Sequence, residues 1–248
     1  MRRPAAGYSL RVTVRNILRD AWSLYRLLFR RSIVVAAAVM AVLTAVNGAQ
    51  YAVPTHTGLS VLIGIAAFVL SFAGPVIIQG ALIELVRNIH EGRRPAGINA
   101  LLERVGECFW QLIKVSIIYG LGVGLGLVLF IVPGLFIAAR WSLMAPLVVL
   151  ENVTHGAADR SSSLVKGKTK TVLLALLAGF AVTGIPSLIV FLAPIALYWQ
   201  LLFSFVWGSL TAPFSAHLLT VIYYRITDPE RPVIDDSVST WKSLWKAA

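Results

Sequence analysis

Residues 132–170 read VPGLFIAARWSLMAPLVVLENVTHGAADRSSSLVKGKTK. They open on Pro133-Gly134, a pair that reads as a tight turn. From there to Leu150 the run is apolar except for Arg140 and Ser142, with Pro146 inside it. A polar loop follows, ending in Lys166, Lys168 and Lys170. A long apolar run that gives way at once to a lysine-rich stretch is how a spanning helix leaves a bilayer on its positive side.

Composition extends that reading to the whole chain. Of 248 residues, 58% are hydrophobic and 13% charged, with mean hydropathy +0.79. Soluble domains are about 25% charged, and a chain of this size still has to cover its surface with polar groups. Part of the solvent must be lipid. The apolar runs at 33–49, 59–83, 115–139 and 172–200 are long enough to cross a bilayer, which takes about 20 helical residues. None alternates with period two, so helices are expected rather than a barrel.

The basic residues set the topology. Of 22 Lys and Arg, all but Arg140 fall in four clusters: residues 2–31, 87–114, 160–170 and 225–246. Pairs of apolar segments joined by uncharged connectors lie between the clusters. With every cluster on one side, the positive-inside rule holds throughout. The expected fold is an all-α integral membrane protein with six transmembrane helices, at about 32–54, 59–86, 110–132, 135–153, 171–193 and 198–224. Both termini are expected in the cytoplasm. The N-terminus carries too many arginines to read as a cleaved signal peptide.

Three regions follow. Residues 1–31 read as a basic amphipathic helix lying in the membrane interface. Val14, Ile17, Leu18, Ala21, Tyr25, Leu28 and Phe29 recur at helical spacing beside a stripe of Arg11, Arg15, Arg19, Arg26 and Arg30, which suits anionic headgroups. A segment running straight into a membrane span does not read as a nucleic-acid arm, so no nucleic-acid partner is expected. Residues 32–226 form the six-span domain. Residues 227–248 read as a cytoplasmic tail with a short interfacial helix carrying Trp241, Leu244 and Trp245.

Within the chain a unit recurs three times, at about 8–91, 95–153 and 157–226: an amphipathic stretch, a span, an uncharged turn, and a span with an internal proline. The fold is therefore expected to be three pseudo-repeated hairpins, each preceded by a cytoplasmic interfacial helix. The signature is Ser-x-x-small-Pro, at Ser71/Pro75, Ser142/Pro146 and Ser209/Pro213. Proline removes a backbone donor and clashes with the carbonyl four residues earlier, which in each copy belongs to a serine. That hydroxyl can re-satisfy freed carbonyls in lipid. Such kinks either help hairpins pack or shape a central groove. In the third span, Gly120/Gly124 and Gly122/Gly126 read as small-xxx-small packing pairs.

Ionisable groups at membrane depth are the candidate sites. Arg140 either anchors to headgroups or binds an anion. Glu84, Glu151 and His217 follow the three prolines toward the basic end, and Gln79 holds the place after Pro75 that His217 holds after Pro213. Arg87, Arg93 and Arg94 form a basic ring for headgroups. HExxH, GxSxG, paired-acid and Cys/His signatures are lacking, so neither a catalytic residue, a metal nor a cofactor is expected. Gly167-Lys168-Thr169 ends like a phosphate loop, but Ser162 stands where that loop requires glycine. Cys108 is the lone cysteine, which excludes an intramolecular disulfide.

Residues 132–151, VPGLFIAARWSLMAPLVVLE, resemble the signature of a bacterial six-span family typified by the membrane domain of glycerophosphoryl diester phosphodiesterases. Residues 17–31, ILRDAWSLYRLLFRR, are similar to that family's opening helix, and Tyr223-Tyr224-Arg225 to its close. The resemblance covers about 8–226. It implies a stand-alone inner-membrane protein. In the fused members a separate soluble domain carries the phosphodiesterase activity, and the tail after Arg225 is too short to hold one, so that activity does not carry over. The leading expectation is a non-enzymatic module engaging anionic lipid headgroups, with a protein partner or a second copy as a further partner. The alternatives are a small-solute or lipid transporter or channel using a groove between kinked helices, and an intramembrane enzyme acting on a glycerophospholipid.

Overall fold

The computed structural model describes residues 12–54, 57–91, 93, 97–194, 196–229 and 233. Arg94, residues 1–11 and the tail positions Trp241, Leu244 and Trp245 lie outside these described residues. Eight helices follow in order: α1 (Val14–Ala52), α2 (Gly58–His90), α3 (Ile98–Leu129), α4 (Ile131–Trp141), α5 (Met144–Glu151), α6 (Ala157–Val165), α7 (Thr169–Leu192) and α8 (Leu197–Thr227). With α4 and α5 taken as one span, six are long and apolar enough to cross a membrane. The short α6 is not.

Several spans are much longer than a bilayer needs. α1 has 39 residues, about 58 Å at 1.5 Å per residue, against a hydrocarbon core of about 30 Å. The surplus lies at the basic end. There Ile17, Ala21, Leu24 and Leu28 of α1 are buried in one core with Ile78–Val86 of α2, Leu101, Val105 and Leu112 of α3, Leu147–Val149 of α5, and Val221 and Ile222 of α8. The other end is the reverse: Val128 is 84% exposed and Val132 and Phe191 are 76% exposed. Apolar side chains that no protein covers are what acyl chains cover.

The amphipathic stretch at the start of the chain differs from expectation. It is not a separate helix but the opening of α1, which continues unbroken across residues 31 and 32. Its apolar face, Phe29 apart, packs against protein, with Tyr25 and Phe214 of α8 edge to face at 6.1 Å between centroids. The second such stretch is likewise the opening of α3. Only the third, α6, stands alone.

The turn before the fourth span also shifts. Phe130 breaks the chain, and Pro133-Gly134 lies in the first turn of α4, where proline's missing donor costs nothing. Gly134 is required for a different reason. A β-carbon there would lie 2.5 Å from the Leu127 backbone nitrogen, so α4 rests on the backbone of α3. The paired glycines divide: Gly126 meets Gly134 and Gly122 meets the Trp141 ring, whereas Gly120 and Gly124 face open space. The 120/124 pair therefore packs against nothing among the described residues.

The prolines are unequal too. Ahead of Pro146 the helix breaks at Ser142 and Leu143, separating α4 from α5, while α2 and α8 run through Pro75 and Pro213. Ser142 and Ser209 do bond local carbonyls, to Ala139 O at 2.9 Å and Phe205 O at 2.6 Å. Ser71 is exposed and makes no such bond among the described residues. A further proline, Pro186, lies inside α7. At Pro186 and Pro213 the carbonyl three residues back accepts from an aromatic donor on a neighbouring helix: Trp207 Nε1 to Thr183 O at 3.0 Å, and Tyr25 Oη to Leu210 O at 3.1 Å.

Candidate functional site

The polar side chains at the basic end act chiefly on one another. Arg225 is 1% exposed. Its Nε donates to Asp20 Oδ2 at 2.8 Å, and Nη2 donates to the same oxygen, closing α8 against α1. The same contact places the start of α1 and the end of α8 on one side. Glu151 accepts from Tyr223 Oη at 2.9 Å and from Arg160 Nε at 3.3 Å, joining α5 to α8 and α6. The next residue, Asn152, ends α5 in the left-handed region at φ 54, a conformation asparagine tolerates. Its Oδ1 accepts from Arg104 Nη2 of α3 at 2.7 Å.

Arg87 donates to Glu91 at 3.0 Å and to Glu84 at 3.5 Å, and Arg93 pairs with Glu91. Burial pushes the Glu91 carboxyl up, but the hydrogen bond from Arg87 and the charges of Arg87, Arg93 and His90 outweigh it and hold it below the usual carboxylate range. The His90 ring lies 4.0 Å from that of Tyr224.

The polar groups expected at membrane depth do not converge. His217 is fully buried, with Nε2 3.1 Å from Ser32 Oγ of α1 and Nδ1 enclosed without a hydrogen-bond partner among the described residues. Glu84 and Glu151 lie in the separate ion pairs given above. Arg140 stacks over Phe136, with Cζ 5.0 Å from the ring centroid, and its Nε is enclosed without an acceptor among the described residues. Its backbone is held from α6: Ser161 Oγ donates to Arg140 O at 2.6 Å and accepts from Leu143 N at 3.2 Å. Ser161 thus bridges the break between α4 and α5.

A cavity of about 530 Å³ lies between α2, α3, α4, α5, α7 and α8. Gln79 and Ser142 line it, and among the described residues no charged one does. Arg140, Glu84, Glu151 and His217 are not part of its wall. Among the described residues there is no group of three or more His, Cys, Asp or Glu that could hold a metal ion.

Sequence reasoning missed Asp20, Ser161 and Trp207. One signal was available: Asp20 is the sole acidic residue before Glu84, and it sits among arginines. Ser161 and Trp207 carry no comparable mark.

The fold and these contacts define a polytopic, all-helical membrane protein. A scan against protein-family models, a search of curated proteins and a search of solved structures each returned no match.

Proposed function

We propose that the protein is a non-enzymatic inner-membrane module whose basic end faces the cytoplasm and engages anionic lipid headgroups. The observation that carries this reading is an imbalance of charge at that end. Asp20, Glu84, Glu91, Glu107 and Glu151 are each held by an arginine of the chain itself, leaving Glu103 and Asp159 as exposed acids without such a pair among the described residues. Arg15, Arg26, Arg30, Lys114, Lys166 and Lys170 are exposed and have no acidic partner among the described residues. Cations next to a bilayer surface attract anionic lipid by about 1 kcal/mol each. The family resemblance, with three pseudo-repeated hairpins, belongs to the same reading.

The test is the melting temperature of the purified protein in mixed micelles. Phosphatidylglycerol is expected to raise it above the value with phosphatidylcholine, and Arg26→Gln/Arg30→Gln to erase much of the difference. Equal stabilisation by both lipids would remove the reading's support.

The cavity favours a second reading, a carrier of an uncharged solute or lipid. Flux of such a compound in proteoliposomes, abolished by filling the cavity with Leu176→Trp, would favour it over the module.

A further inference from the structure

The cavity has direction. Along α3 its wall runs from Val115 to Leu127, about 18 Å at the helical rise. Gln79, Ser116 and Tyr119 line the part nearer the basic end, while Val123, Leu127 and Leu135 line the part nearer the uncharged end. Other lining hydroxyls are already committed: Ser142 donates to Ala139 O, Thr183 to Gly179 O and Ser215 to Thr211 O. The side chains of Gln79, Ser116 and Tyr119 make no hydrogen bond among the described residues. Polar groups surrounded by apolar side chains are costly unless they find partners. These three are grouped on facing helices at one end of an otherwise apolar chamber. Its volume falls in the range of small-molecule sites, about 300–1,000 Å³.

We infer that this cavity binds a single hydrocarbon chain bearing an uncharged hydrogen-bonding group, a hydroxyl or an ester. The group sits at Gln79, Ser116 and Tyr119, and the chain points toward Leu127 and Leu135. Gln79 offers both a carbonyl and an amide, and the hydroxyls of Ser116 and Tyr119 complete the set. A charge at that end would meet no counter-ion in the wall, so a phosphate or carboxylate placed there is excluded. The site is separate from the exposed cations of the basic end and stands whether or not those cations hold lipid. The chain and ester have two sources: a neutral acylglycerol, or one arm of a membrane phospholipid whose phosphate stays outside.

The experiment uses the full chain in nanodiscs and three probes, each with a diazirine at the chain end: a monoacylglycerol, the same chain as an alkyl phosphate, and phosphatidylglycerol tagged in one chain. The monoacylglycerol is expected to label Val123, Leu135 and Ala138. Gln79→Leu/Tyr119→Phe should cut that labelling at least fivefold, and Leu176→Trp should abolish it. The alkyl phosphate should not label these residues. If phosphatidylglycerol labels them with the same dependence on Gln79 and Tyr119, the natural chain comes from phospholipid; if only the monoacylglycerol does, the source is a neutral lipid. Labelling confined to outward-facing Leu121, Leu125 and Val128 overturns the inference, as does equal interior labelling by the alkyl phosphate or indifference to the double variant. If the double variant fails to fold, Leu176→Trp decides: persistence of interior labelling in it overturns the proposal.

Discussion

The two ends of this molecule are held by different forces. At the basic end, buried apolar side chains are crossed by ion pairs and hydrogen bonds that reach between distant segments, as Asp20–Arg225 and Glu151–Tyr223 do. At the uncharged end, contact depends on close backbone approach at Gly126 and Gly134 and on an indole bond to Thr183 O. Lipid gives apolar helices little reason to associate, so small residues and polar contacts must do so there. Where helices leave the bilayer, the hydrophobic effect returns and a water-type core forms. Stability should therefore concentrate at the basic end.

The largest expected effect follows from Asp20→Asn. Arg225 would be left buried without its counter-charge, a loss of about 3–5 kcal/mol in such cases. Denaturant titration in mild detergent measures it. Asp20→Leu/Arg225→Met should recover most of the loss, and no recovery would show that the pair's charge is not what matters.

Next is Ser161→Ala, which strands Leu143 N–H and Arg140 C=O at the helix break and should cost about 1–3 kcal/mol. The same titration reads it. A neutral result would mean that water replaces the serine there.

Glycine substitutions probe the uncharged end. Gly126→Ala forces a β-carbon to within 2.8 Å of Gly134 Cα, and overpacking of this kind costs about 1–3 kcal/mol. Gly124→Ala, two residues earlier, faces open space and should stay within about 0.5 kcal/mol of the parent. Equal losses would contradict the division of the α3 glycines.

The smallest effect is electrostatic. The Glu91 carboxyl is held below its usual range in the folded protein. Its contribution is therefore present above the unfolded pKa, about 4.3 for glutamate, and is lost as pH falls through the lower folded value. Its side chain is 33% exposed, so Glu91→Gln should only flatten the acid limb of the stability–pH curve slightly. An unchanged limb would place the acid sensitivity elsewhere.

The six spans were legible because bilayer thickness imposes run length and basic residues impose sidedness, and both leave marks in local sequence. The turn at Phe130 and the merging of the first amphipathic stretch into α1 were not. A proline-glycine pair fits a turn and a helix's first turn equally well, and an apolar face looks the same whether lipid or protein will cover it. Of the candidate site, Gln79 lies on the cavity wall, while Glu151 and His217 join neighbouring helices and Glu84 pairs with Arg87 of its own helix. His217 and Ser32 are 185 residues apart in sequence, and nothing local marks such a pair. Arg140 stood apart from the basic clusters in sequence, yet its carbonyl accepts from Ser161 of α6, next to Arg160, and the cavity wall there is Leu135, Ala138 and Ser142, a different face from Arg140.

Native mass spectrometry of the detergent-extracted protein tests most directly whether the basic end engages anionic lipid. Retained phosphatidylglycerol or a similar anionic phospholipid is expected on the parent chain. Arg15→Gln/Arg26→Gln/Arg30→Gln should lose it with the melting temperature in zwitterionic detergent unchanged. Retention of zwitterionic lipid alone, or anionic lipid held equally by the triple variant, would contradict that assignment.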